Sequence, residues 1–215
     1  MKEQSAKPGD ILEYDGVQYK VIENRIKRGT EKRKVIINLN LIALPIMILV
    51  FAFLYFLLAL LNKGTLLHIN LSTGGFIINM LIIFGSFIVF AAIHECAHYL
   101  AYKFIGKTKK ENLKLGIAPK SGMAYCIALS PNTVSASRWS LMMPIYALII
   151  PLSAIAIILQ STFFIFLVSL FASGSAGDIW YMWTMRKDTK DKYIIEALPA
   201  SSEYEVGYLV LEKIN

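Results

Sequence analysis

Acidic side chains are almost absent from the middle of this chain. Between Lys32 and Met185 only Glu95, Glu111 and Asp178 carry a carboxylate, and the whole chain has three histidines and two cysteines. Two cysteines permit at most one disulfide and offer no repeated metal-binding spacing, which excludes a disulfide scaffold and a cysteine-based zinc finger. Any metal chemistry must therefore use a few histidines and carboxylates, and each of these can be considered individually.

Charge as a whole is also scarce. Charged residues make up 17% of the chain, hydrophobic residues 56%, and the mean hydropathy is +0.53, which is typical of a membrane protein and excludes an ordinary soluble domain. The net charge of +7 could indicate a nucleic-acid partner, but the basic residues flank long apolar runs, as the positive-inside rule describes. We therefore expect membrane lipids as partners and no nucleic acid. No cleavable signal peptide is expected, because the first 34 residues are polar and charged.

Long apolar runs predict the fold class, an all-α polytopic membrane protein with four transmembrane helices and small β-hairpins on the cytoplasmic side. Pro45, Pro144 and Pro151 are expected to kink these helices. Lysines and arginines before the first span, after the second and after the fourth predict a multi-pass protein of the cell membrane with both termini in the cytoplasm. The predicted spans cover residues of about 35–61, 76–105, 139–159 and 163–185.

Short alternating segments outside the spans predict β-structure. Asp15-Gly16 between two such segments predicts a hairpin of residues 11–14 and 17–22, with which a strand at 206–211 could pair. A second hairpin is predicted for residues 113–129, around a turn at Pro119-Lys120-Ser121-Gly122. The chain thus divides into a cytoplasmic segment (1–34), a membrane core (35–187) and a cytoplasmic tail (188–215).

One motif carries the chemistry: Ile93-His94-Glu95-Cys96-Ala97-His98-Tyr99 lies near the end of the second predicted span. On a helix, His94 and His98 project from one face at positions i and i+4, so both imidazoles can bind one Zn²⁺. Glu95 could then take a proton from a metal-bound water and pass one to the leaving amine. The alternative is a set of satisfied polar residues at the end of a buried helix. Cys96 is expected to face away from His94 and His98 and to act as a small apolar side chain, not as a metal ligand.

A catalytic zinc usually takes three protein ligands, and Asp178 is the predicted third. It lies in Ser173-Gly174-Ser175-Ala176-Gly177-Asp178 within the fourth span, where an unpaired carboxylate costs a few kcal/mol or more. His94 and Asp178 both lie roughly 12–14 Å inside the cytoplasmic ends of their helices. The alternatives are that the glycines only serve helix packing and that Asp178 caps a helix or pairs with Arg138. His68, in a loop, is expected to be solvated.

With His94, Glu95 and His98 on one span and Asp178 on another, the chain resembles a family of small bacterial membrane proteins described as putative zincin peptidases. It also looks like the site-2 type of membrane-embedded zinc metalloprotease, although Gly177 here precedes Asp178 where that type has Asp before Gly. The resemblance covers roughly residues 35–187 and implies peptide-bond hydrolysis in or beside the bilayer near its cytoplasmic side. It implies a membrane-associated protein or peptide as substrate.

The residues themselves predict one Zn²⁺ per chain on His94, His98 and Asp178, with Glu95 as catalytic base and acid. The alternative function is a non-catalytic metal-binding membrane protein, either structural or an ion transporter. The second hairpin is a candidate edge strand for an unfolded substrate, and the alternative is a plain surface hairpin. Candidate substrate-binding residues are Met123, Tyr125, Ile127 and Asn132, and Asn132 and Arg138 could also stabilise an oxyanion.

Overall fold

The chain is described here by a computed structural model, which covers residues 6–61, 73–118, 123–197 and 206–214. Six α-helices and seven β-strands are present in this described part. The helices are α1 Gly29–Leu61, α2 Thr73–Phe104, α3 Val134–Pro144, α4 Ile150–Ile158, α5 Thr162–Gly174 and α6 Ala176–Met185. The strands are β1 Ile11–Tyr14, β2 Val17–Asn24, β3 Leu113–Ala118, β4 Met123–Ala128, β5 Asn132–Thr133, β6 Tyr193–Glu196 and β7 Tyr208–Lys213.

Three helical segments in the described part are long and apolar enough to cross a membrane, namely 29–61, 77–104 and 134–158. Large apolar side chains on their surfaces, such as Leu49, Leu81 and Phe84, are more than 60% exposed. Burying such faces in lipid is favourable, whereas water contact is costly. The predicted membrane protein is therefore confirmed at this level of detail. Helices α5 and α6 meet at an angle of 41° and bring the count to four if they form one broken span.

The third segment contains the two prolines expected to kink it. A π-helical turn at Ile145–Ile149 separates α3 from α4. Because Pro151 has no N–H, it cannot donate to the carbonyl four residues earlier, and wider turns often absorb such a defect. The fourth segment breaks at Ser175 instead, which has φ −79° and ψ 6°. The break at Ser175 lies three residues before Asp178, which contacts the second helix.

Five of the seven described strands form one sheet, which is larger than the first predicted hairpin. The hairpin of β1 and β2 turns at Asp15 and Gly16, both with positive φ, as the Asp-Gly sequence predicts. Strand β7 pairs antiparallel with β2, as expected for the C-terminal segment. The order of the whole sheet is β1-β2-β7-β6-β5, so residues near both ends of the chain and Asn132–Thr133 build one five-stranded sheet beside the mainly helical core.

The second predicted hairpin is present as the two-stranded sheet of β3 and β4. Its turn at 119–122, the side chain of Met123, and His68 lie outside the described residues. Leu129 donates its amide to the Asn112 carbonyl at 2.7 Å, continuing the ladder beyond β4. Since backbone groups alternate along a strand, the amides of residues 124, 126 and 128 then point away from β3.

Candidate metal centre

Helix α2 places His94 and His98 on one face, one turn apart. Both histidines are buried, with 7% and 5% exposure, and their rings stand at 79° to each other with centroids 4.8 Å apart. Their Nε2 atoms are 3.2 Å apart. One turn earlier, Phe90 stacks on Phe171 of α5 with centroids 4.2 Å apart, which packs α2 against the neighbouring helix. The motif therefore presents two imidazole nitrogens to a single point.

Asp178 reaches the same point from the first turn of α6. Its Oδ2 lies 3.1 Å from His94 Nε2, and its Oδ1 lies 3.3 Å from His98 Nε2. The break at Ser175 starts a new helix just before this residue and aims its carboxylate at α2. The predicted third ligand and the two histidines are thus brought together, and pairing with Arg138 is not observed.

The three ligand atoms fit a zinc ion. In a tetrahedral site with ligand distances of about 2.0–2.1 Å, neighbouring ligand atoms lie about 3.3 Å apart. The two Nε2 atoms are 3.2 Å apart, and each lies at a similar distance from one oxygen of Asp178: 3.1 Å from Oδ2 for His94 and 3.3 Å from Oδ1 for His98. Two neutral imidazoles and one carboxylate are also donors that zinc accepts. Among the described residues this is the group of three that could hold a metal.

A backbone carbonyl orients one of the ligands. His98 Nδ1 lies 2.9 Å from the Ser140 carbonyl oxygen on α3, so this nitrogen carries the proton and donates. Its Nε2 lone pair is then free to bind a metal, an arrangement that is common around zinc. Ser140 itself is fully buried. This hydrogen bond could not be predicted from the sequence, because every residue type has a backbone carbonyl.

Glu95 lies beside the three ligand residues, as predicted, and is half-buried. Its carboxylate accepts a hydrogen bond from the backbone amide of Cys126 on β4 and interacts electrostatically with His94, His98 and Asp178. A carboxylate held next to the ligand set can accept a proton from a group bound there. Cys96, the next residue, is exposed and points away from this group, in line with its expected role.

The second hairpin contacts the motif helix through β4. The Tyr125 hydroxyl would lie 2.9 Å from a Cβ placed on Gly116, so this side chain lies over its cross-strand neighbour. Ile127 is buried at 7% exposure. The contact with Glu95 comes from neither of these predicted residues but from the amide of Cys126 between them. The backbone edge of β4, rather than an alternating set of its side chains, therefore faces the candidate centre.

Asn132 and Arg138 are engaged elsewhere. The Asn132 Oδ1 accepts from the Thr108 hydroxyl at 2.9 Å, and its Nδ2 donates to the Ser130 carbonyl at 3.2 Å. Arg138 donates to the carbonyls of Met185 and Asp188 at the end of α6. These hydrogen bonds hold a loop and the end of a helix. Binding of a substrate or an oxyanion by Asn132 or Arg138 therefore stays a prediction.

Glu196 is an acidic residue near the centre that the sequence analysis did not select. It ends β6, and the Tyr102 hydroxyl, one turn after His98, donates a short hydrogen bond to it. Burial raises the pKa of this carboxyl to about 7, and the bond from Tyr102 partly offsets the rise. The tertiary structure alone brings this tail residue to α2, since 93 residues separate the two in the chain.

The glycines near Asp178 do not mediate helix packing. A Cβ placed on Gly174 or Gly177 meets no atom within 4 Å, and neither has a positive φ. The alternative that these glycines only serve helix packing therefore has no supporting contact at Gly174 or Gly177. The break at Ser175, rather than a close helix contact, is what positions the carboxylate.

Comparison with known proteins supports a metallopeptidase at a coarse level. Residues 87–193 match the model of a family described as "Putative zincin peptidase". The matched stretch contains the histidine motif, the second hairpin and Asp178, and it confirms the resemblance to that family. No curated protein and no solved structure matches the chain.

Proposed function

We propose that this chain, whose residues 87–193 match the family of putative zincin peptidases, is a zinc-dependent endopeptidase embedded in the membrane. The observation that carries the proposal is the convergence of His94, His98 and Asp178 within 3.3 Å of one another beside the carboxylate of Glu95. Structural zinc sites are closed by four protein ligands, whereas the described residues supply three here. Three ligands and an adjacent base favour catalysis over a purely structural metal.

The residues divide the chemistry between binding and proton transfer. His94, His98 and Asp178 would hold the ion, and zinc in such a site acts as a Lewis acid that acidifies water and polarises a carbonyl. Glu95 accepts the proton of the attacking water at its carboxylate and returns it to the nitrogen of the leaving amine as the peptide bond breaks. The Cys126 amide holds Glu95 in place, and the Ser140 carbonyl holds His98.

The sheet topology supports four spans with both termini on one side. Strands from the N-terminal segment and the tail pair with each other in one sheet, and β5, which precedes α3, pairs with β6. Both termini and the loop before α3 therefore share one side of the membrane, which requires an even number of crossings. The stretch 162–185, which contains α5, Ser175 and α6, is roughly 36 Å long along the helices and then forms the fourth span. The basic flanks make this side the cytoplasmic one.

The free edge of β4 is the proposed site of an extended substrate. Its outward amides belong to residues 124, 126 and 128, and the amide of Cys126 reaches the base Glu95. A peptide added as a strand on this edge would run past Glu95 with its backbone exposed to attack, whereas peptide bonds inside a helix are hydrogen-bonded. A membrane-associated, locally unfolded protein or peptide is the substrate class that this geometry suits.

The proposed function predicts zinc-dependent cleavage of a membrane-anchored reporter. We expect the purified, zinc-loaded chain in lipid nanodiscs to cut an unfolded segment next to a reporter's membrane anchor, giving new termini that mass spectrometry identifies. Removing zinc with a chelator should abolish the products, and adding zinc back should restore them. Stoichiometric zinc with no cleavage of any unfolded, anchored segment would favour the non-catalytic alternative.

The edge-strand interaction predicts that a proline at position 124 lowers cleavage. Ala124→Pro removes an amide on the free edge of β4 without removing a β3–β4 ladder bond, and its ring obstructs an added strand. We expect cleavage to fall by about tenfold or more, with zinc content unchanged.

Ile117→Pro is the matched control. Residue 117 belongs to the outward-facing set on β3, at the opposite edge of the same hairpin, so this variant should cleave like the wild type. Equal cleavage by Ala124→Pro and the wild type would refute strand addition at β4.

A further inference from the structure

A groove between α3 and the end of α6 is not used by the proposed peptidase chemistry. It is an open groove with a volume of about 190 Å³, on the outside of the helix bundle. Three polar side chains, Ser135, Arg138 and Lys190, contribute to its lining, and none of the lining side chains is acidic. The rest of the lining is apolar or aromatic. One end of the groove is thus positively charged and the remainder is suited to hydrocarbon.

The charged end lies where the spans meet the five-stranded sheet. Ser135 and Arg138 belong to the first two turns of α3, and Lys190 follows the end of α6. Arg138 is held by its bonds to the carbonyls of Met185 and Asp188, while its Nε has no partner among the described groups. A fixed guanidinium, an ammonium and a hydroxyl beside a helix N-terminus are favourable partners for a phosphate group.

The apolar part continues from this end toward the bilayer centre. Trp139, Met142 and Tyr146 follow one another along α3 at spacings of three and four residues, and Met182 faces them from α6. The rings of Trp139 and Tyr146 lie 6.0 Å apart and are 54% and 47% exposed. From Ser135 to Tyr146 the helical rise is about 16 Å, roughly half of a hydrocarbon core of about 30 Å. The groove therefore spans about one leaflet.

We propose that this groove binds one anionic phospholipid. Its phosphate would lie against Ser135, Arg138 and Lys190, and its glycerol and one acyl chain would follow Trp139, Met142 and Tyr146. The charge of the groove favours a lipid with net negative charge over a zwitterionic one, because a choline group would bring a cation next to two others. Basic pockets between spans and aromatic rings at the interface are physically suited to this class of ligand.

Two substitutions that each add negative charge test the proposal in the whole chain. The chain is placed in phosphatidylcholine nanodiscs that contain a minor fraction of phosphatidylglycerol, and native mass spectrometry counts the phosphatidylglycerol molecules that stay bound. Lys190→Glu and Ser135→Glu should each reduce this retention by about tenfold, through loss of or repulsion from one charge-assisted contact. A glutamate in the first turn of α3 is favourable for the helix, so Ser135→Glu should fold.

Lys187→Glu is the matched control, because Lys187 is an exposed lysine three residues before Lys190 and does not line the groove. It should retain phosphatidylglycerol like the wild type, and all three variants should keep the zinc content of the wild type. An equal loss in Lys187→Glu would attribute the retention to diffuse surface charge and overturn the proposal. A wild type that retains phosphatidylcholine as strongly as phosphatidylglycerol would overturn it as well.

Discussion

Replacing Glu95 with glutamine is expected to lower kcat for peptide hydrolysis by roughly 10²–10⁴-fold while zinc stays bound. Glutamine keeps the shape of the side chain but cannot accept a proton at its amide, so the attacking water loses its base. The ligands His94, His98 and Asp178 are unchanged in this variant. The measurement is the rate of reporter cleavage beside the zinc-to-protein ratio of the same preparation.

Glu111→Gln is the control for this experiment. Glu111 is an exposed carboxylate in the loop between α2 and β3, so the variant makes the same change of charge away from the ligand set. It should cleave at the rate of the wild type. Undiminished turnover by Glu95→Gln would contradict the assignment of Glu95 as the base, whereas loss of zinc in that variant would show that Glu95 acts on the metal site itself.

The second large effect concerns the third ligand. Asp178→Ala should weaken zinc binding by more than about 100-fold, because changing even a group that only orients a ligand costs roughly 10–100-fold. Two imidazoles then remain, and the other carboxylates within the described spans are Glu95, the proposed base, and Glu31, which pairs with Lys27 in the first turn of α1. Metal analysis after dialysis against a competing chelator measures this loss, and cleavage should fall with it.

Asp191→Ala removes an exposed carboxylate outside the spans and should leave zinc binding unchanged. If Asp178→Ala bound zinc as tightly as the wild type, the third ligand would have to be another residue. Retained zinc together with lost cleavage would assign Asp178 to the substrate rather than to the metal. Zinc content and cleavage rate, measured in both variants, therefore distinguish a loss of zinc binding from a loss of catalysis alone.

Features that depend on neighbours in the chain could be predicted. The Asp-Gly turn of the first hairpin requires positive φ at adjacent residues, and the structure shows it at Asp15 and Gly16. The i and i+4 spacing of His94 and His98 places their rings together on any helix, and the observed Nε2 atoms are 3.2 Å apart. Long apolar runs likewise predicted where helices would be.

Features that depend on distant segments could not be predicted in the same way. Burial of Glu196 beside Tyr102 requires that β6 dock on α2, and no local pattern encodes this approach. The Ser140 carbonyl and the Cys126 amide hold His98 and Glu95 through backbone atoms that every residue has. The same holds for β4, where the backbone amide of Cys126 and not a side chain contacts Glu95.

The sequence by itself determined which residues could bind a metal. Between Lys32 and Met185 there are so few histidines and carboxylates that His94, Glu95, His98 and Asp178 are the natural candidates for one site. Only the tertiary structure decided how these groups are used. A break at Ser175 aims one carboxylate, the Cys126 amide of β4 contacts Glu95, and Glu196 of the five-stranded sheet accepts a hydrogen bond from Tyr102 of the motif helix. The physical reason is that residue types set which bonds can form, whereas packing between distant segments sets the distances of about 3 Å at which they do form.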